Sequence, residues 1–331
     1  MQVKLPIRFF LIAVAAVCMS AFLGCSKQQF GIASQSQEFG QSVTFNTQVD
    51  VLWVIDTSSS MKRHQELLAS QMGSFVSELN QTGLNYQIAV TTMDMGASGA
   101  RGRLIAKAGT PVVLTASSPG LVSILSDRLI AGESGSPVER GLEAMSAALQ
   151  GALIPHNSNF GFLRPNALLV VVFLTDEEDQ SPEGDYDQLL DGLRPPLPYG
   201  DRSWLVHVMG VMPNDPSCMS AQWGHSSVAY RYISLAEASG GVAESICDAD
   251  LRRAVTNMRA RILEVMTEYP LGSRLPIVES IKVYVDGKPI EKSTANGWSY
   301  LAAKNSIRFH GSAVPKPNSK IKVEYDPAGL K

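Results

Sequence analysis

Val51-Leu52-Trp53-Val54-Ile55-Asp56-Thr57-Ser58-Ser59-Ser60 is the stretch whose reading decides the fold. Five apolar residues run without interruption into Asp56, Ser58 and Ser60, which stand at every second position. Such a run suits a strand buried on both faces, as in a parallel sheet covered by helices. Its polar end predicts a tight turn into a helix, with Ser60 as N-cap and Met61–Asn80 carrying the helical pattern. At the end of a strand, alternate side chains share a face. One carboxylate and two hydroxyls would then converge above the sheet, hard oxygen donors short by one or two of what a small divalent cation needs. Asp and Ser here are also ordinary turn and cap residues, so the remaining ligands must be sought elsewhere in the chain.

Strand signals recur downstream with helical segments between them. Asn85–Asp94 is a second apolar strand, reached by a helical crossover and hence parallel to the first. Arg103–Lys107 and Pro111–Thr115 suggest an edge hairpin, followed by helices at Leu121–Ile130 and Val138–Leu153. Ala167–Thr175 is the most apolar stretch after the amino terminus and the expected central strand. Asp185–Leu193 is a short helix, Pro195-Pro196-Leu197-Pro198 a rigid loop and Trp204–Met212 a further strand. Helix Ser227–Ser239, a short strand Val242–Ile246 and helix Asp250–Thr267 complete the series. The alternation implies an α/β fold, a doubly wound, mostly parallel sheet over residues 49–269. Beyond Tyr269-Pro270-Leu271-Gly272-Ser273 the period changes to two. Asp286-Gly287 and Asn296-Gly297 mark turns, and residues 275–331 read as a small β module.

The chain has 331 residues, 45% of them hydrophobic and 18% charged, which is globular composition with room for more than one domain. Residues 1–24 are set apart by Lys4 and Arg8 followed by an uncharged apolar run that ends at Phe22-Leu23-Gly24-Cys25. This segment resembles the signal peptide and lipobox of bacterial lipoproteins, with Phe22 where leucine is usual. The resemblance implies that Cys25 is acylated, carries a palmitate-type anchor and becomes the first mature residue. Ser26 follows it, and the absence of aspartate there points to the outer membrane. Residues 25–48, rich in Ser and Gln, read as a flexible tether reaching about 25 Å as a coil. Without the signal the chain has 26 basic and 31 acidic residues, a net charge of −5, which argues against nucleic acid as a partner. Cys218 and Cys247 remain as an even pair in an exported protein, the expectation being a disulfide.

In an open α/β sheet, ligands bind beyond the carboxyl ends of the strands, where the strand order reverses. Three loops arrive there with oxygen donors: Asp56-x-Ser58-x-Ser60, Gly135-Ser136 before the helix at Val138, and Asp176 after the central strand. With these residues in order the chain resembles the von Willebrand factor type A domain, whose metal-ion-dependent adhesion site (MIDAS) joins Asp-x-Ser-x-Ser, a later threonine and a Thr-Asp step. VIDTSSSM matches the first part and FLTDEED the last. Gly135-Ser136-Pro137-Val138-Glu139-Arg140-Gly141-Leu142 fits the middle frame with serine for threonine, and Ser134 is the alternative if the register differs. The resemblance implies a cation ligated by Asp56, Ser58, Ser60, Ser136 and Asp176, with Mg²⁺ first and Mn²⁺ or Ca²⁺ as alternatives. One coordination position is left for the carboxylate of a protein ligand.

Asp94, Glu177, Glu178 and Asp179 exceed the family pattern. They are either ligands of a second cation or a solvated loop and helix cap. Trp223, on the loop that a Cys218–Cys247 bridge would staple near the metal, is either a partner contact or core filling. The five histidines are scattered, and no His-Glu-x-x-His, phosphate loop or Gly-x-Ser-x-Gly elbow is present. The expectation is therefore a membrane-anchored adhesion or binding lipoprotein and not an enzyme. The alternatives are an envelope scaffold with a vestigial site and a metal-dependent hydrolase.

Overall fold

The computed structural model describes the backbone of Gln35–Glu38 and, in full, residues 47–194, 202–220, 222–225, 227–316 and 319–329. The signal segment, Cys25 and the Pro195–Pro198 loop lie outside the described residues.

The centre is a six-stranded sheet. Strand β1 (Gln35–Glu38) belongs elsewhere. β2 (Gln48–Ile55), β3 (Asn85–Thr92), β4 (Leu114–Thr115), β5 (Leu168–Leu174), β6 (Trp204–Gly210) and β7 (Ala243–Ser245) pair in the order β4-β3-β2-β5-β6-β7. All pairings are parallel except β3 with the short edge strand β4. From β2 the chain steps outward through β3 to one edge, and from β5 through β6 to the other. The order therefore reverses between β2 and β5, and the ends of these two strands flank the crevice in which such sheets bind ligands.

Helices α1 (Lys62–Ser70), α2 (Met72–Gln81), α3 (Leu121–Leu129), α4 (Gly141–Gly151), α5 (Tyr186–Leu193), α6 (Tyr230–Ser239) and α7 (Arg252–Thr267) cover both faces. Alternation along β2 explains why its sequence is apolar at every step. Val51, Trp53 and Ile55 pack on one face with α1, α2, α3 and α7, whereas Leu52 and Val54 pack on the other with α4 and α6. β5 does the same, with Val170, Val172 and Leu174 opposed to Leu169, Val171 and Phe173. At the amino edge the buried Asp50 carboxylate pairs with Arg164 at 2.7 Å and Arg194 at 3.3 Å.

Several elements differ from the sequence expectation. The first helix is divided at Gln71, and its N-cap is Met61, with no capping side chain. Ser60 instead faces the crevice. Arg103–Lys107 forms no strand: the Asn159 side chain holds it by accepting from the Leu104 N–H and donating to the Gly102 carbonyl. The buried Arg128 guanidinium likewise holds 110–112, leaving only Leu114–Thr115 in the sheet.

The carboxyl-terminal module has two antiparallel sheets around one core. β8 (Glu268–Pro270), β9 (Lys282–Val285), β10 (Lys288–Ile290), β11 (Trp298–Leu301), β12 (Ser306–Phe309) and β13 (Ile321–Tyr325) are its strands. The sheets run β1-β13-β9-β10 and β11-β12-β8. Asp286 and Gly287, both at positive φ, make the β9–β10 hairpin turn. Two expectations are corrected. The module begins at β8, because Tyr269 belongs to its core and not to that of the preceding domain. Residues 25–48 are not tether throughout, because Gln35–Glu38 pairs with β13 by backbone hydrogen bonding that a polar sequence supplies as well as an apolar one.

His207 on β6 is buried and neutral. Its Nδ1 accepts the Val242 N–H at 2.9 Å, and burial pulls its pKa from 6.5 to about 3. Below pH 6.5 the unfolded chain binds a proton here that the native state refuses, so this contribution to stability is complete above pH 6.5 and is lost as pH falls toward 3. In urea titrations from pH 7 to 4, His207→Gln should flatten the acid loss of stability by about 1.4 kcal/mol per pH unit relative to wild type. Parallel curves for the two proteins would contradict this.

Candidate metal centre

The site lies at the reversal point. The Asp56 N–H donates to the Leu174 carbonyl at 3.0 Å, locking the end of β2 to the end of β5. The buried Asp56 carboxylate is then fixed at both oxygens. Oδ1 accepts the Ser58 N–H at 2.7 Å, and Oδ2 accepts the Thr175 hydroxyl at 2.7 Å. The first bond is an Asx-type turn that swings the next residues over the strand end, which is why Ser58 and Ser60 come together, their hydroxyls 3.2 Å apart. Ser58 is buried and Ser60 is exposed.

Asp176 closes the far side. Burial would raise its pKa, but hydrogen bonds from His225 and Ser60 outweigh that and hold it below the usual carboxylate range. His225 Nδ1 donates to Asp176 Oδ2 at 3.0 Å, while Oδ1 is buried with no hydrogen-bond partner. Asp56, Ser58, Ser60 and Asp176 are thus brought together. Burial raises the Asp56 pKa, and the nearby Asp176 charge adds to the rise.

The middle loop arrives by a close backbone approach. Gly135 N donates to the Thr57 carbonyl at 2.9 Å, and a Cβ on Gly135 would lie 2.0 Å from Thr57 Oγ1, so only glycine fits. Ser136, next in the chain, turns its hydroxyl to its own loop, where it accepts the Val138 N–H at 3.0 Å. Ser134 is exposed. The residue this loop sends into the crevice is Glu139, fully buried and with no hydrogen-bond donor to either carboxylate oxygen. Burial pushes its pKa up to about 10, and the Asp56 carboxylate, by its charge and by a hydrogen bond to the protonated acid, and those of Glu177 and Asp176 push in the same direction. Sequence reasoning passed over Glu139 as an ordinary residue at the start of a helix. The helix begins at Gly141, which leaves Glu139 in the loop.

The surplus acids divide. Glu177 is half-buried at the site, its pKa raised by burial and by Asp176 and Asp56. Glu178 accepts the N–H groups of Asp179 and Arg231. Asp179 accepts from Leu142 N, Ser181 and Tyr232 and pairs with Arg231 at 2.9 Å. Asp94 accepts the Gly96 N–H at 2.7 Å in a turn. Glu178, Asp179 and Asp94 therefore act in loop and cap hydrogen bonding, and no second-cation site is assembled from them.

Two histidines that look scattered in sequence meet here. His64 Nε2 lies 3.0 Å from His225 Nε2, and His64, Asp176 and His225 place ligand-type atoms within 4.8 Å of one another. Burial and His225 lower the His64 pKa to about 4. Trp223 stacks on His64 with ring centroids 4.4 Å apart, and the Arg63 guanidinium covers its ring. The Cys218–Cys247 disulfide ties the loop carrying Trp223 and His225 to the segment after β7. The only sequence signal for this pairing is the stapled loop itself, since the histidines are 161 residues apart.

The donor set fits a divalent cation. Asp176 Oδ1 and both Glu139 oxygens are buried without hydrogen-bond donors, Glu139 lies beside Asp56, Ser60 beside Asp176, and among the described residues no Lys or Arg pairs with Asp56, Glu139, Asp176 or Glu177.

No protein-family model matches the sequence, and no curated protein matches it. In fold the chain is similar to von Willebrand factor type A structures. One, from Catenulispora acidiphila, is 14% identical with a TM-score of 0.40, covering 86% of this chain and 59% of that one. Proximal thread matrix protein 1 from the mussel byssus, with a zinc-occupied MIDAS motif, is 15% identical with a TM-score of 0.39, covering 66% and 47%. The pilus adhesin SpaC from Lactobacillus rhamnosus GG is 12% identical with a TM-score of 0.41, covering 88% and 42%. The chain thus spans about half the length of these structures.

Gly135→Ala should force the Thr57 and Gly135 loops apart and cost about 1–3 kcal/mol, as overpacking does. Chemical denaturation should show this loss, and a variant as stable as wild type would contradict the close approach.

Proposed function

We propose that this chain is a divalent-cation-dependent binding protein, held to the outer membrane by acylated Cys25, and that it is not an enzyme. Asp56, Ser58, Ser60 and Asp176 would hold the cation, for which two carboxylates and two hydroxyls suit Mg²⁺, with Mn²⁺ or Ca²⁺ as alternatives. When bound, the cation supplies a Lewis-acidic position for an oxygen ligand, and the proposed partner is a protein presenting a carboxylate there.

The chain's own groups serve this role by preorganisation. Thr175 and the Ser58 N–H aim Asp56, His225 aims Asp176, and the exposed Ser60 leaves the outer side open to a partner. Around it the half-buried Trp223 and the exposed Val138 offer apolar contact surface. The observation that carries the reading is the buried Asp176 Oδ1, without a hydrogen-bond partner and beside Ser60 at the sheet's switch point.

A thermal melt of the protein with and without millimolar Mg²⁺ or Mn²⁺ tests it. The midpoint should rise with metal in wild type and stay fixed in Asp56→Ala, since a ligand that binds only the native state stabilises it. A wild-type midpoint indifferent to metal would defeat the proposal and favour a scaffold. Pull-downs from envelope extracts should lose the partner in EDTA, and Cys25→Ser should release the chain from membranes.

A further inference from the structure

Glu139 is the feature that the binding reading leaves unexplained. Its side chain is completely buried, neither carboxylate oxygen accepts a hydrogen bond, and its nearest charged neighbours are other carboxylates. An isolated buried carboxylate is among the most costly groups a fold can carry, and removal of such a group to solvent is normally easy for a loop residue. Here the backbone forbids it. The Glu139 carbonyl accepts the Gln180 N–H at 2.7 Å, in the loop after β5, and the next N–H, that of Arg140, donates to the Met93 carbonyl at 3.3 Å, just past β3. The residue is therefore clamped between two strand ends, with its side chain directed at Asp56. The nearby cations are engaged elsewhere: Arg140 pairs with Glu143, and Arg231 with Asp179.

We infer that Glu139 is a direct ligand of the cation, supplying the middle loop's donor in place of the Ser136 hydroxyl. The inference rests on the reading that Asp56 and Asp176 hold the same ion. It accounts for the geometry of both residues: Ser136 is turned to its own loop, and Glu139 occupies the crevice with free lone pairs. A third carboxylate changes the chemistry of the centre. Mg²⁺ is commonly held by one or two carboxylates and keeps its waters, whereas Ca²⁺ accepts several carboxylates in flexible geometry at higher coordination. The preference therefore moves to Ca²⁺. With three negative ligands on a divalent ion, the chain compensates the ion's charge by itself. The ion is then resident without the partner, and a partner's carboxylate adds to the binding surface without being needed to hold the ion.

Calorimetric titration of the metal-free full-length chain in detergent with Ca²⁺ and with Mg²⁺ tests this. Wild type should bind one Ca²⁺ more tightly than Mg²⁺, and Glu139→Gln should weaken Ca²⁺ by about tenfold or more, as expected on loss of a charged ligand. In EDTA the same variant should be at least as stable to urea as wild type, because a buried acid lying among other carboxylates has been removed and the Gln amide can still donate to Asp56. A residue that only filled space would not give this opposite pair of effects. Ser136→Ala should leave Ca²⁺ affinity unchanged. If Glu139→Gln does not fold, Glu139→Asp carries the test, since the shorter side chain keeps the charge but withdraws the donor and should also weaken Ca²⁺. Wild-type affinity in the Glu139 variants, or a loss in Ser136→Ala, would overturn the inference while leaving the metal centre in place. No Ca²⁺ or Mg²⁺ binding by wild type would remove the centre and this ligand together.

Discussion

Carboxylates buried beside one another without a Lys or Arg among them are the constraint around which this domain is arranged. Asp56, Glu139 and Asp176 are all less than 4% exposed, and both Glu139 oxygens and Asp176 Oδ1 are buried without a hydrogen-bond donor. Like charges in a low-dielectric pocket repel strongly, so a native state that holds them together needs either protons or a metal ion. Without an ion Glu139 keeps its proton, its pKa pushed up to about 10, while the other two acids are held differently. Asp56 accepts from Ser58 N and Thr175, and Asp176 accepts from His225, both of which favour the ionised form. The fold thus spends a backbone N–H, a hydroxyl and an imidazole on aiming two acids at one place.

That arrangement depends on the sheet. β2 and β5 are the adjacent parallel strands from which the chain steps outward to opposite edges of the sheet, and the bond from Asp56 N to Leu174 O fixes the height of one strand end against the other. The apolar alternation of both strands secures them between two helical layers, so the loops above them sit on a rigid platform. The disulfide extends the platform outward by fixing the loop that brings His225 onto Asp176 and Trp223 onto His64.

Much of this was legible in the sequence because it depends on short-range pattern. The unbroken run before Asp56 reports a doubly buried strand, and the alternating Asp, Ser, Ser reports one polar face at its end. The Leu174-Thr175-Asp176 step after an apolar run does the same for β5. What was not legible depends on long-range placement or on the exact start of a helix. Glu139 reads as a helix residue until it is seen that α4 starts at Gly141 and that the Thr57–Gly135 contact sets the loop's register. His64 and His225 carry no mutual spacing signal. Asp94, Glu178 and Asp179 have ligand chemistry in sequence, but turns and helix starts claim their oxygens. Gln35–Glu38 pairs with β13 along its backbone, which a polar composition conceals.

The central claim is that one divalent ion belongs between these strand ends. Anomalous diffraction from a crystal grown with Mn²⁺ tests it most directly, because the signal locates the ion among its ligands. A single peak at about 2.2 Å from oxygens of Asp56 and Asp176, the usual range for hard divalent cations on carboxylates, is the predicted result. A well-ordered site with Asp56, Glu139 and Asp176 in place and no anomalous peak among them would contradict it.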